Sequence, residues 1–132
     1  MTDRLKFRVY IKYSKMMCYD VNSFYIDRLK NKITIHFDDH TKTFKFDDVV
    51  LEQCTGLKDK NGMLIYEGDI CIPAKDMADK AGEVYRAESG AYFIKGKMKN
   101  GMEYDFGIYW HHFMYEVIGN IHENPELLEN EE

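Results

Sequence analysis

A chain of 132 residues, 45% hydrophobic and 14% aromatic, has the apolar mass for one packed domain or two small subdomains sharing a core, which excludes intrinsic disorder. No apolar run approaches the roughly 20 residues of a membrane-spanning helix, and the charged N-terminal stretch MTDRLKFRVYIKY has no hydrophobic signal core, so neither a membrane protein nor a secreted precursor is expected. The net charge of -5 is uneven: residues 1–46 hold ten Lys or Arg against five Asp or Glu, and residues 47–132 hold eight against eighteen, five of them glutamates in the last ten residues.

Residues 5–13, LKFRVYIKY, alternate. Leu5, Phe7, Val9, Ile11 and Tyr13 share one face, and Lys6, Arg8, Tyr10 and Lys12 the other, which predicts a half-buried strand with a basic outer face. A turn at Tyr13-Ser14 starts a returning strand at Lys15, Met16 and Met17. Residues 23–29 are a short strand candidate, and Asn31 makes a turn. Residues 33–37 and 42–46 form a hairpin. Closing it over Asp38-Asp39-His40-Thr41 places Ile35 opposite Phe44 and Ile33 opposite Phe46, all on the buried face. Residues 48–54 are a strand or a single helical turn.

Farther on, residues 69–73 are a strand ended by Pro73, and residues 74–81 a loop. Residues 83–87 and 91–95 are strands around a Glu88-Ser89-Gly90 turn. The three glycines in residues 96–107 predict a mobile connection. Residues 108–113, IYWHHF, are apolar and aromatic, and residues 115–121 are the last strand. Asn124 and Pro125 suit the start of one helical turn. No sequence repeat appears. Many short strands of this kind predict an open sheet plus a small barrel.

The densest polar segment is TGLKDKNGMLIYEGDI, Thr55 to Ile70. Asn61-Gly62 suits a tight turn. A calcium loop centred on Gly62 would need oxygen ligands at Leu57 and Gly68, so that reading fails. Gly68 permits a sharp bend, and Asp69 can accept hydrogen bonds from nearby backbone N–H groups. No spacing supplies Asp69 or Glu67 with a catalytic partner. His36, Asp38 and His40 would share a face of an extended strand, but the hairpin places the last two in its turn. His111 and His112 are adjacent and point apart if extended, which predicts one packed and one facing solvent. Neither GxSxG nor a P-loop pattern occurs. Cys18, Cys54 and Cys71 are odd in number and widely spaced, which predicts free thiols in a reducing compartment, with no zinc site. Tyr10, Tyr85, Tyr92, Tyr109 and Trp110 are candidates either for core or for a base-stacking surface. Only the region from Arg86 to Lys97 interleaves such rings with cations.

Three blocks, KFRVYIKYSKMMCYD (Lys6 to Asp20), QCTGLKDKNGMLIYEGDI (Gln53 to Ile70) and YEVIGNIHENPELLE (Tyr115 to Glu129), together resemble the YopX family of bacteriophage and prophage proteins. The family commonly has Trp where Tyr10 stands and an aromatic where His122 stands. The resemblance implies a mostly β protein with an SH3-like small barrel in its C-terminal part. It implies no established activity and transfers no catalytic or binding residue. The shared residues Gly56, Asn61, Gly62, Gly68, Asp69, Gly119, Asn120 and Pro125 are mostly turn formers.

The expectation is therefore a mainly β protein: an N-terminal hairpin and sheet subdomain (1–50) packed on a C-terminal SH3-like barrel (51–132) with an acidic tail. It is expected to be a cytoplasmic, phage- or prophage-encoded accessory protein of a bacterial host, without catalytic residues, cofactor or metal. It would act as a homo-oligomer or by binding a host or phage protein. The alternative is a nucleic-acid-binding module. Lys6, Arg8, Lys12, Arg86, Tyr92 and Lys95 are the candidate contact residues.

Overall fold

The alternation in the first residues becomes β1 (Phe7–Ile11), and a turn with Lys15 at φ 56 returns the chain into β2 (Met16–Asp27). The structure is a computed structural model that describes residues 6–72, 81–98 and 100–128. β2 is a single strand of 12 residues, absorbing the separate strand expected at 23–29. Its register shifts twice, opposite Phe7/Val9 and between Val21/Ser23, and such shifts let a long strand bend between two neighbours. Asn31, at φ 54, closes the next turn into β3 (Lys32–Phe37), followed by β4 (Thr41–Lys45).

The β3–β4 hairpin is tighter than its sequence suggests. The Phe37 N–H donates to the His40 carbonyl at 2.7 Å, so Ile33 faces Phe44 and Ile35 faces Lys42, two residues from the expected register. A two-residue slip preserves the facing, and Ile33, Ile35 and Phe44 stay buried. A one-residue slip would expose Ile33 and Ile35 and forfeit roughly 3–6 kcal/mol of apolar burial. Phe46 leaves the strand for a 3-10 turn (Phe46–Asp48) and is half-exposed.

β5 (Val49–Lys58) settles the ambiguity at residues 48–54 in favour of a strand, and the Asp59–Met63 turn leads to β6 (Leu64–Tyr66). The first sheet has the order β4-β3-β2-β1-β5-β6. Then come β7 (Asp69–Ile72), β8 (Gly82–Arg86), β9 (Tyr92–Lys97), β10 (Glu103–Gly107) and β11 (Glu116–Asn120), in a second sheet ordered β10-β9-β8-β7-β11. Pro73 and all of the expected 74–81 loop except Ala81 lie outside the described residues, as does the end of the acidic tail.

The two sheets share one plan. In each, four strands meander, a 3-10 segment follows, and a fifth strand returns to pair with the first. The doubling is topological and leaves no repeat in the sequence. Among the described residues neither sheet closes into a barrel, because no ladder joins the edge strands β4 and β6 or β10 and β11. The mainly β expectation holds.

β9 and β10 pair antiparallel, where the glycines of residues 96–107 predict a mobile connection. Gly96 and Gly82 face each other across β9 and β8, and the Tyr104 ring lies over both. A Cβ at Gly96 would come within 2.6 Å of the Tyr104 hydroxyl oxygen, so this glycine makes room for a ring. There are two core clusters: Val9, Ile11, Ile33, Ile35, Phe37, Phe44 and Val49 within the first sheet, and Cys71, Val84, Tyr92, Ile94, Tyr104, Ile108 and Tyr115 against the second, joined there by Ile65 from β6 of the first. The three cysteines are free thiols, and burial pushes the Cys71 thiol well above its usual pKa.

Candidate interaction surfaces around a buried ion-pair junction

β1 does not have a basic outer face. Lys6 and Lys12 are exposed, but Arg8 is 1% exposed and Tyr10 stacks on His122 with ring centroids 4.6 Å apart. Alternation correctly separated the two faces of the strand, but the second face is covered by the second sheet. A guanidinium taken out of water must find partners. Arg8 donates from Nε to Glu52 Oε1 at 2.8 Å, from Nη1 to Asp69 Oδ1 at 2.6 Å and from Nη2 to the Glu67 carbonyl at 3.2 Å. Its Cζ lies 4.9 Å from the Tyr66 ring centroid.

Both carboxylates are themselves held. Asp69 Oδ2 accepts the Tyr66 N–H at 2.8 Å, which is the backbone bond expected for a Gly-Asp turn. Glu52 Oε2 meets His122 Nε2 at 2.8 Å. The junction thus joins β1 and β5 of the first sheet to β7 and the turn after β11 of the second. Gly68 completes it: at φ +89 its Cα lies against the Glu52 carboxylate, where an added Cβ would sit 2.2 Å from Oε2. Burial alone would lower the Arg8 pKa, but Asp69 and Glu52 outweigh it and hold the guanidinium charged above its usual value.

Burial is also the largest influence on Asp69 and raises its carboxyl from 3.8 to about 6, against the pull of Arg8 and the Tyr66 N–H. The folded state therefore holds this proton more tightly than the unfolded chain. Stability from Asp69 should rise as pH falls through about 6 and level off below 3.8. Urea titrations should show wild type gaining on the order of 1 kcal/mol over Asp69→Asn between pH 7 and pH 5. A constant gap between the two proteins would contradict the assignment.

The second feature lies between β10 and β11, where two 3-10 turns (Ile108–Trp110 and His112–Met114) replace a plain loop. Ile108 and Tyr115 are fully buried and pin the two ends. Such short turns cannot bury every side chain of an aromatic run. Trp110 is 81% exposed, and Phe113, Tyr109 and Met114 are also exposed. The segment is fastened on both sides: Tyr92 N–H donates to the Tyr109 hydroxyl at 2.9 Å, His112 Nδ1 bonds the Lys58 carbonyl at 2.6 Å, and Lys60 N–H donates to the Tyr115 carbonyl at 2.9 Å. These last bonds bring in the Asp59–Met63 turn, whose Met63 is exposed. Asp59 builds that turn, with Oδ1 accepting from Asn61 and Met63 and Oδ2 from Val117.

The six candidate contact residues do not converge. Arg8 is in the junction, and Tyr92 is 6% exposed in the second core, so neither side chain faces a partner. Lys95 sits on the outer face of the second sheet between Glu83 and Asp105, its Nζ 4.6 Å from the Tyr85 ring centroid. That face forms an open groove of about 620 Å³ whose lining includes Glu83, Lys97, Glu103, Asp105 and Leu128, with charges of both signs. Among the described residues no cluster of His, Cys, Asp or Glu is arranged to hold a metal ion. No helix there is long and apolar enough to cross a membrane.

Residues 6–129 match the YopX protein family, nearly the whole chain. The chain belongs to the YopX family. Among solved structures, protein EF1440 from Enterococcus faecalis is similar at 30% sequence identity and a TM-score of 0.60, over 94% of this chain and 97% of that one. No curated protein matches. The YopX residues carried in from the sequence blocks now have physical roles. Gly56, Gly62 and Gly68 all have φ near +85, which disfavours a side chain. Asn120 Oδ1 accepts from the His122 and Glu123 N–H groups and shapes the turn that presents His122 to Glu52. The YopX pattern thus marks turns and the junction.

Proposed function

We propose that this YopX member is a phage- or prophage-encoded accessory protein of the bacterial cytoplasm that acts by binding, without catalysis, and that its working form is a homo-oligomer joined through Tyr109–Met114. One observation carries the reading: a segment fastened by hydrogen bonds at both sides holds Trp110 81% and Phe113 58% exposed. Large aromatics presented in this way are typical binding anchors. A second copy is the fitting occupant because the rim carries both signs, with Lys60 Nζ 3.5 Å from Glu116 Oε1. A mixed rim does not repel its own copy across a twofold axis.

Sedimentation equilibrium tests it. Wild type should associate at micromolar concentration. Trp110→Ala should weaken association on the order of a thousand-fold, since an isologous contact loses the anchor twice, while its circular dichroism and melting temperature are retained. A wild-type protein that remains monomeric at high micromolar concentration overturns self-association, as does a monomer that holds a defined host protein through Trp110.

A further inference from the structure

We infer that the surface where the Lys12–Lys15 and Arg28–Asn31 turns, at the two ends of β2, meet on either side of Phe46–Asp48 binds the phosphate backbone of single-stranded nucleic acid, with Tyr13 as a stacking platform. This surface is separate from the aromatic segment. It begins with connectivity. β4 and β5 lie on opposite sides of the other three strands, yet only Phe46–Asp48 joins them. That short link brings the end of β4 beside the start of β5. Lys12 N–H donates to the Asp48 carbonyl at 2.9 Å, and Phe46 N–H donates to the Asn31 carbonyl at 2.9 Å. Both turns therefore flank one 3-10 turn.

Lys12, Lys15, Arg28 and Lys30 stand in those turns, and Lys32 and Lys45 at the adjoining strand ends, all exposed. None of the six has an ion-pair partner among the described residues. Three carboxylates are near in the chain: Asp27, Asp47 and Asp48. Asp27 accepts the Lys30 N–H and Asp47 accepts from Asn31 Nδ2, so two of them shape the turns. Asp38 and Asp39 lie at the opposite end of the β3–β4 hairpin.

Three of the cations occupy unfavourable positions. Lys32 lies directly across the ladder from Lys45, a like-charge pair that opposes the sheet. Lys15 sits at φ 56, where glycine or asparagine is comfortable and a long side chain is not. Cations kept at the expense of stability point to a polyanion. Tyr13, 61% exposed between Lys12 and Lys15, has Lys42 Nζ 5.7 Å from its ring centroid. A ring among cations suits unpaired bases, which a duplex does not offer.

Fluorescence anisotropy with a labelled oligo(dT) and full-length protein tests this. Binding at low salt should weaken with a slope of about -2 to -3 in log K against log salt, as three or four phosphate contacts require. Tyr13→Ala should lower affinity roughly tenfold. A triple variant, Lys30→Glu, Lys32→Glu and Lys45→Glu, should abolish it, while Lys97→Glu on the second sheet leaves it unchanged. Lys15→Gly should weaken binding yet raise the melting temperature, a combination that a purely structural role would not produce. Absence of binding at low salt overturns the inference. So does equal binding by the triple variant, tighter binding of a duplex of the same length, or displacement of oligo(dT) by polyglutamate as readily as by unlabelled oligo(dT).

Discussion

Replacing Arg8 with alanine should lower stability by about 3–5 kcal/mol, a large part of the 5–15 kcal/mol that holds a typical domain together. The loss arises from what is left behind. Glu52 and Asp69 are each at most 5% exposed, and both accept from the guanidinium. Without it two carboxylates remain in a space that excludes water. Urea denaturation followed by circular dichroism measures the cost. The triple variant Arg8→Met, Glu52→Gln, Asp69→Asn separates causes: it should recover most of the loss, because the expense lies in unpaired charge and less in the lost contact. If Arg8→Ala unfolds at the wild-type urea midpoint, the junction does not hold the sheets together.

Gly68→Ala should be comparably damaging, on the order of 3 kcal/mol or more. Left-handed backbone at φ +89 disfavours any Cβ by about 1–2 kcal/mol. The methyl group would then meet Glu52 Oε2 at 2.2 Å and push that carboxylate off Arg8 and His122. The backbone cannot yield easily, because Gly68 N–H donates to Val84 and its carbonyl accepts from Ile121. Gly62 is the control: it has φ +83 but nothing within 4 Å of an added Cβ. Gly62→Ala should lose only the backbone part. Equal melting temperatures for the two variants would remove the carboxylate contact from the explanation.

These two residues also mark how far the sequence could be read. Gly68 and Asp69 were legible, since a Gly-Asp pair before an apolar strand has a local meaning, and the Tyr66 N–H bond realises it. Arg8 was not. Alternation separates the faces of a strand but does not say what covers the second face. The covering partners lie 44 and 61 residues away. A faint signal existed in Glu52, a charge directly after the apolar Val49-Val50-Leu51. The exposed aromatic segment was hidden for the opposite reason. A run such as IYWHHF reads as interior until two 3-10 turns turn half of it outward. Gly96 suggested a break because its use, making room for Tyr104, depends on a strand not yet paired. The basic character of the first 46 residues was visible, but counting could not place it at the turns instead of on β1.

The shared strand plan has a consequence of its own. β1 and β5 hold the same places in the first sheet as β7 and β11 in the second, and the junction is built from β1, β5, β7 and the turn that follows β11. In form the chain is a heterodimer written as one polypeptide. Two identical subunits would have to carry every surface twice. Joined in tandem, the halves are free to diverge: the first displays lysines around Tyr13, the second a face of mixed charge and a protruding tryptophan. The arrangement permits a division of labour that a symmetric pair of the same strands does not.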